Sequence, residues 1–127
     1  MEQDTPTTGR AVLHDLEAAR HAAAFSELTG YGWLRLTGRD RLDLLNRLST
    51  NDLRKLAAGE GLPSVLTSPV GRVMALMLVY AAAETVYVRL MPEQAQRITR
   101  YLSSMIFFQD EVEVADLTGT FAQFALY

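Results

Sequence analysis

The chain has 127 residues, the length of one domain, of which 49% are hydrophobic and 21% charged. This composition is typical of a globular protein that buries a core, and it excludes global disorder. The net charge of −3 disfavours a nucleic-acid-binding protein. The chain has no cysteine, which excludes disulfides and cysteine-ligated metal sites.

No apolar segment is long enough to cross a membrane. The longest apolar stretch, 73–83, is shorter than the roughly 20 residues that a bilayer requires. Residues 1–8 include acids and threonines where a signal peptide would have basic and then apolar residues. We therefore expect a cytoplasmic protein without a membrane span.

The first predicted elements follow a polar tail over 1–10. Leucine and alanine at steps of three and four residues predict a helix over 11–28. A short strand is predicted over 31–37. Asp40 is a suitable N-cap for a second helix over 41–49.

The middle of the chain is predicted to form a short helical turn and three strands. The helical turn is placed at 53–58 and the first strand at 62–68. Residues 73–80 are apolar on both alternating faces, which is typical of a central strand. Residues 85–90 alternate apolar with polar and predict the second half of a hairpin.

The last third of the chain adds a helix and two strands. Pro92 is placed at the first position of the helix, whose apolar stripe runs from Ala95 to Ile106. Val112 and Val114 alternate with glutamates as a strand, and a final strand is predicted over 121–127.

The order of these elements predicts the fold class. From residue 31 onward, the order strand, helix, strand, strand, helix, strand, with extra pieces, matches the split βαβ plan. We therefore predict an α+β, ferredoxin-like antiparallel sheet with helices on one face, in a single domain over 11–127.

Two polar patterns could carry chemistry. His14, Glu17 and His21 share one helical stripe that could ligate a metal, but nothing else completes the ligand shell, so a solvated face is the favoured interpretation. Asn51 and Asp52 follow a serine and a threonine, a pattern that favours capping over ligand binding.

A further candidate is Arg72, which follows a Pro-Val-Gly turn. Its guanidinium could bind a carboxylate or phosphate. A single Gly-Arg dipeptide is a weak motif, so an exposed turn arginine is the favoured interpretation. No Ser-His-acid order and no phosphate-binding loop is present.

Three segments resemble, in order and spacing, the N-terminal part of the folate-binding aminomethyltransferase family. They are 33–40 (WLRLTGRD), 44–53 (LLNRLSTNDL) and 66–73 (LTSPVGRV). Segment 107–116 (FFQDEVEVAD) is similar to the family's strand after its second helix. The family includes the glycine-cleavage T-protein and the YgfZ-type proteins linked to iron–sulfur enzyme maintenance. The resemblance covers 31–127, less than half of a family member.

This resemblance implies binding of tetrahydrofolate or another folate, with no catalytic residue in this chain. The implied binding residues are Tyr31, Asn51, Asp52, Arg72 and Tyr80. The family's acidic pair on the central strand is replaced here by Ala75 and Leu76. The resemblance therefore implies a folate-binding domain without aminomethyltransferase activity, and the Pro-x-Gly-Arg turn favours the YgfZ-type branch.

Two other interpretations stay open. One is a ferredoxin-like module that works through protein contacts and binds no folate, for which the adjacent Phe107 and Phe108 are the supporting feature. The other is a piece of an active aminomethyltransferase whose acid lies elsewhere.

The predicted sheet generates a test of assembly. Helices cover only one face of strand 73–80, and each large apolar side chain on the other face would gain about 1.5–3 kcal/mol if buried. We expect a second copy to cover this face as a homodimer, ahead of helix 11–28 acting as an internal lid. Light scattering should give twice the monomer mass of 14.1 kDa. A mass of one monomer across micromolar concentrations would contradict the dimer.

Overall fold

A computed structural model describes residues 13, 14 and 16–127 of the protein. It divides the chain into two compact units. The larger unit is Gly30–Phe121, and the described residues of the smaller one are 13, 14, 16–29 and 122–127. The predicted tail over 1–10 lies outside the described residues, and the predicted domain limits stay a prediction.

Seven strands and two helices carry labels here. In chain order they are β1 Phe25–Glu27, β2 Gly32–Thr37, α1 Arg41–Leu48, β3 Gly61–Thr67, β4 Val73–Ala81, β5 Thr85–Leu90, α2 Ala95–Ser104, β6 Glu113–Asp116 and β7 Phe124–Leu126. The strands predicted at 31–37, 62–68, 73–80 and 85–90 are confirmed to within one residue at each end.

The larger unit contains one five-stranded antiparallel sheet in the order β3-β4-β5-β2-β6. Four of these strands, β4-β5-β2-β6, have the neighbours of a ferredoxin-like split βαβ sheet, and β3 is added at one edge by a hairpin with β4. The predicted fold class is confirmed.

The core lies between the sheet and the two helices. Strands β2, β4 and β5 each alternate buried with less buried residues, so their buried side chains share one face. The core residues from the three strands and two helices are Leu34, Leu36, Ala75, Met77, Val79, Val86, Val88, Leu90, Leu44, Leu45, Leu48, Ala95, Ile98 and Leu102. The helices therefore cover one face of the sheet, as predicted.

The smaller unit corrects the predictions for both ends of the chain. Residues 16–21 are helical, but the predicted helix does not reach residue 28, because Phe25–Glu27 is a strand that pairs with Phe124–Leu126. The final strand is accordingly shorter than 121–127 and is not part of the five-stranded sheet. Backbone pairing between distant segments overrides the helix propensity of an alanine-rich sequence here.

Three local predictions in the larger unit are also wrong. Asp40 does not cap α1; its Oδ2 accepts a hydrogen bond from the Glu111 backbone N–H at 2.9 Å instead. The region 53–58 forms turns rather than a helix. Pro92 precedes α2 rather than starting it, because Glu93 adopts a left-handed φ of 69° that no α-helix contains.

Gly38, which precedes α1, lies close to the backbone of Glu111, which precedes β6. A substitution at Gly38 tests whether this close approach matters for stability. The φ of Gly38 is +105°, and a Cβ at this position would overlap the Glu111 carbonyl oxygen. We expect Gly38→Ala to lower the free energy of unfolding by about 3 kcal/mol, because it adds a backbone clash to the left-handed penalty. Denaturant unfolding measures the change.

Gly59→Ala is the matched control. Gly59 also has a positive φ of +89°, but nothing lies within 4 Å of a Cβ placed there. Gly59→Ala should therefore lower the free energy of unfolding by the conformational penalty alone, about 1 kcal/mol. Equal costs for the two substitutions would show that the approach of Glu111 to Gly38 contributes nothing.

Candidate functional site

The face of the sheet opposite the helices is the candidate site. On β4, Ala75, Met77 and Val79 are buried towards the helices, whereas Leu76 is 62% and Tyr80 38% exposed. The predicted second apolar face of this strand therefore exists and is accessible within the larger unit. A contiguous accessible apolar surface of this kind is typical of a binding site.

Aromatic rings cover one part of this open face. Trp33 of β2 stacks on Tyr80 of β4, with ring centroids 6.0 Å apart and an interplanar angle of 28°. Phe121 contacts Trp33 edge-on at 6.0 Å and Tyr87 at 5.9 Å. These contacts hold the rings in one cluster, which borders the rest of the face with flat apolar surfaces.

A groove of about 460 Å³ forms a second feature on strands β3, β4 and β5. Its lining residues are Thr50, Asn51, Pro63, Ser64, Val65, Leu76, Met77, Leu78, Arg89, Leu90 and Met91. The walls are largely apolar, with a few hydroxyl, amide and guanidinium groups. This combination and this volume suit a small organic ligand.

The loop that follows α1 forms one wall of the groove and is fixed to β3. The Asn51 side-chain amide donates to the Pro63 carbonyl at 2.6 Å, and the Asn51 backbone N–H donates to Ser64 Oγ at 3.3 Å. Asn46 Oδ1 accepts from the Leu53 backbone N–H at 2.9 Å. Asn51 therefore has a defined position in the wall of the groove.

Three of the five predicted folate-binding residues lie on or beside the open face. Asn51 lines the groove. Tyr31 does not line it, but its ring lies 5.0 Å from the guanidinium carbon of Arg89, which does. Tyr80 belongs to the aromatic cluster.

The other two predicted residues do not line the groove. Asp52 is exposed, and its carboxylate accepts hydrogen bonds from the Arg54 side chain at 3.2 Å and backbone N–H at 3.1 Å. These bonds lower the pKa of Asp52 below its usual value. Arg72 is exposed in the tight turn between β3 and β4, where its backbone N–H donates to Ser68 Oγ.

Arg89 is the residue that the sequence analysis missed. It is half-buried and lines the groove from β5, between the buried Val88 and Leu90. The available signal was a charged residue at an open-face position of a strand whose other face is entirely apolar. It could have been found by asking which side chains face the same way as Leu76 and Tyr80.

Positions 75 and 76, where the resemblance implies an acidic pair in the family, differ in environment. Ala75 is 3% exposed and packs in the core, whereas Leu76 lines the groove. An acid at position 76 would face the groove, and one at 75 would be buried among leucines. The chemical effect of the replacement is therefore concentrated at Leu76.

A second surface surrounds the end of α2. Phe108 is fully exposed, and Phe107 lies 4.7 Å from the Arg47 guanidinium carbon. Asp110 binds Arg47 at 2.6 Å and accepts from the Phe107 backbone N–H at 2.8 Å. The Phe107 N–H and the Arg47 guanidinium hold the pKa of Asp110 below its usual value.

The stripe of His14, Glu17 and His21, for which a solvated face is the favoured interpretation, is not arranged as a metal site. Among residues 13, 14 and 16–127, no group of three or more histidines and acids is arranged to hold a metal. No helix within these residues is long and apolar enough to cross a membrane.

Comparisons with known proteins show the family to which the chain belongs. The family model described as the GCVT N-terminal domain matches residues 4–127. A chloroplastic protein of Arabidopsis thaliana named as a transferase is 28% identical over 111 residues, which are 87% of this chain and 26% of the plant protein. The aminomethyltransferase of Clostridium botulinum is 26% identical over 125 residues, 97% of this chain and 33% of the relative.

The fold is also found in a solved structure. The crystal structure of glycine cleavage system aminomethyltransferase T from Bartonella henselae superimposes with a TM-score of 0.66 over 82% of this chain, at 16% identity. The match covers 28% of that protein. This chain therefore spans about a quarter to a third of the length of such relatives.

The Asp110 network generates a test with a defined pH dependence. Its folded pKa lies below the ordinary 3.8, so its stabilisation is present above that pH and is lost as the pH falls towards the folded pKa. We expect Asp110→Asn to lower the urea midpoint at pH 7 and to reduce its fall below pH 4.

Asp43→Asn is the control. Asp43 also pairs with Arg47, with its carboxylate oxygen 3.2 Å from a guanidinium nitrogen, but its side chain is 59% exposed. A surface ion pair of this kind contributes little to the free energy of unfolding. If the two variants unfold alike across this pH range, the bond to the Phe107 N–H has no stabilising role.

Proposed function

Because the chain belongs to the GCVT N-terminal domain family, we propose that it is the folate-binding domain of an aminomethyltransferase-like protein and has no aminomethyltransferase activity of its own. The ligand is tetrahydrofolate or another folate. The observation that carries this proposal is the groove on the open sheet face, with Asn51 in one wall and Leu76 in another.

The groove suits part of a folate molecule. A folate has flat ring systems that need apolar walls, and the side chains of Val65, Leu76, Leu78 and Met91 provide them. The Asn51 amide supplies a polar group at a fixed position, since its hydrogen bond to Pro63 orients it. Polar groups held in this way set the orientation of a ligand in an apolar pocket.

We assign different roles to the five predicted residues. Asn51 contacts the ligand directly, Tyr31 supports the neighbouring Arg89, and Tyr80 forms the aromatic border of the face. Asp52 and Arg72 belong to the loops that lead into β3 and β4 and shape the site indirectly.

The proposed lack of transfer activity rests on the side chains of the central strand. Proton transfer during catalysis requires a titratable side chain within hydrogen-bond reach of the reacting group. Leu76 lines the groove but has no titratable group, and Ala75 is buried in the core. Among the groove-lining residues only Arg89 is ionisable, and a guanidinium does not give up its proton near neutral pH.

The branch of the family is also part of the proposal. The Pro69–Arg72 turn and the missing acids favour the YgfZ-type branch over the T-protein branch. The link to iron–sulfur enzyme maintenance is what that resemblance implies for the chain's wider role.

A second candidate function is favoured by one observation. Phe108 is fully exposed on a loop braced by Arg47 and Asp110, and an exposed aromatic on a rigid support is typical of a protein-contact anchor. In this alternative the chain is a protein-interaction module that binds no folate.

Folinic acid distinguishes the two candidates. At a ligand concentration 100 times the Kd, binding should stabilise the fold by about 2.7 kcal/mol and raise the thermal midpoint. Asn51→Ala should reduce this shift, whereas Phe108→Ser, on the other surface, should leave it unchanged. No shift for the unmodified chain at any soluble concentration would favour the interaction module.

The activity test uses an aminomethyl donor and tetrahydrofolate. We expect no ammonia release above background from a preparation free of T-protein, because no acid reaches the groove. Release that increases with the concentration of this chain would contradict the assignment of positions 75 and 76.

Substitution separates those two positions. Leu76→Asp should fold normally because the side chain is exposed, whereas Ala75→Asp should cost more than about 2 kcal/mol because it buries a polar group without a partner. Denaturant unfolding of the two variants measures the difference.

A further inference from the structure

The groove contains a single ionisable group, and it is a cation. Of the eleven lining residues only Arg89 carries a charge, and the others are apolar or neutral polar. The position where the family's pattern has an acid is occupied by Leu76, on the neighbouring strand. The electrostatic character of this groove is therefore positive, opposite to that expected from an acidic pair.

The Arg89 guanidinium has no anionic partner in the described part of the chain. The ion pairs there involve Arg39, Arg47 and Arg54. Its contact is the ring of Tyr31, 5.0 Å from the guanidinium carbon. A half-buried guanidinium without a carboxylate is costly unless a ligand or water supplies the missing acceptors.

The Tyr31 ring also limits how the guanidinium can move. Arg89 lies opposite Leu78 of β4 and Trp33 of β2, in the middle of the sheet, so no acid on a neighbouring strand position faces it. A cation–π contact uses the flat side of the guanidinium and leaves its N–H edge free. That edge matches the two oxygens of a carboxylate.

We propose that Arg89 forms a carboxylate-binding subsite in this groove, which takes the aminobenzoyl-glutamate end of a folate-type ligand. This inference rests on the proposed folate binding and adds the orientation. The benzoyl ring packs against the apolar walls formed by Leu76, Leu78 and Met91, and a glutamyl carboxylate accepts hydrogen bonds from the Arg89 guanidinium.

The test uses fragments of the ligand with the 127-residue chain. p-Aminobenzoyl-L-glutamate has the ring and the carboxylates, p-aminobenzamide has the ring alone, and 6-hydroxymethylpterin has neither acid nor benzoyl group. Isothermal titration should detect the first and should find the other two at least tenfold weaker.

Three variants assign the effect to one side chain. Arg89→Gln should weaken aminobenzoyl-glutamate about ten- to hundredfold, the usual range for a hydrogen bond to a charged group. The affinity of Arg89→Lys should lie between that of the unmodified chain and that of Arg89→Gln, because lysine keeps the charge but loses the paired donors. Arg35→Gln is the control, because Arg35 is on β2, exposed and outside the groove; it should bind within twofold of the unmodified chain.

The outcomes separate this inference from the proposed function. If folinic acid binds equally well to the unmodified chain and to both Arg89 variants, folate binding stands and the subsite is wrong. If aminobenzoyl-glutamate binds through Arg89 but folinic acid does not bind, the subsite stands and the folate proposal is wrong. If aminobenzoyl-glutamate does not bind to a chain whose thermal unfolding is cooperative, the subsite is overturned.

Discussion

The organisation of the larger unit depends on the unequal burial of the two faces of β4. Strand residues alternate between faces, and the helices α1 and α2 cover only one of them. Small and medium side chains, Ala75, Met77 and Val79, fill the covered side. The other side keeps Leu76 and Tyr80 accessible. The same strand therefore contributes to the core and to the candidate site.

The open face divides into two chemically different parts. At one part, Trp33 stacks on Tyr80, and Phe121 contacts Trp33 edge-on. At the other part, β3 extends the sheet. The loop containing Asn51 is hydrogen-bonded to β3 and forms one wall of the groove. The added edge strand is thus what converts an open sheet into a concave surface.

Charge gives this groove its character. A carboxylate in the family's central-strand position would neutralise a nearby arginine and lower the carboxylate's own pKa. With Leu76 at that position, Arg89 is the only charge in the groove. An uncharged Leu76 leaves this positive charge available to a ligand, which joins the proposed lack of activity to the proposed carboxylate subsite.

The acids that do remain near α1 and β6 have a structural role. Asp40 accepts from the Glu111 N–H, and Asp110 accepts from the Phe107 N–H while pairing with Arg47. Both acids accept hydrogen bonds from backbone N–H groups outside regular structure. Asp40 thereby connects segments 71 residues apart in the chain, and the bond between Asp110 and Arg47 connects segments 63 residues apart. This use of Asp40 explains why it does not cap α1, although its residue type and position favour a cap.

The sequence alone determined the elements whose signal is local. The alternation in β2, β4 and β5 and the helical stripe of α2 are repeated over six or more residues, so each predicts its own structure and buried face. The order of these elements was then sufficient for the ferredoxin-like sheet. The sequence also sufficed for the resemblance, which implies an acidic pair where this chain has Ala75 and Leu76.

Tertiary structure decided whatever depends on residues distant in the chain. Phe25–Glu27 becomes a strand only because Phe124–Leu126 pairs with it, and no local pattern contains that partner. The groove requires a loop, an edge strand and a central hairpin to meet. The alternation of β5 places Arg89 on the open face, but only the fold shows that it lines the same groove as Asn51. A single arginine in a strand is usually an ordinary surface residue. Arg89 becomes part of a candidate site only because the fold places Tyr31 beside it and gives it no ion pair with any described residue.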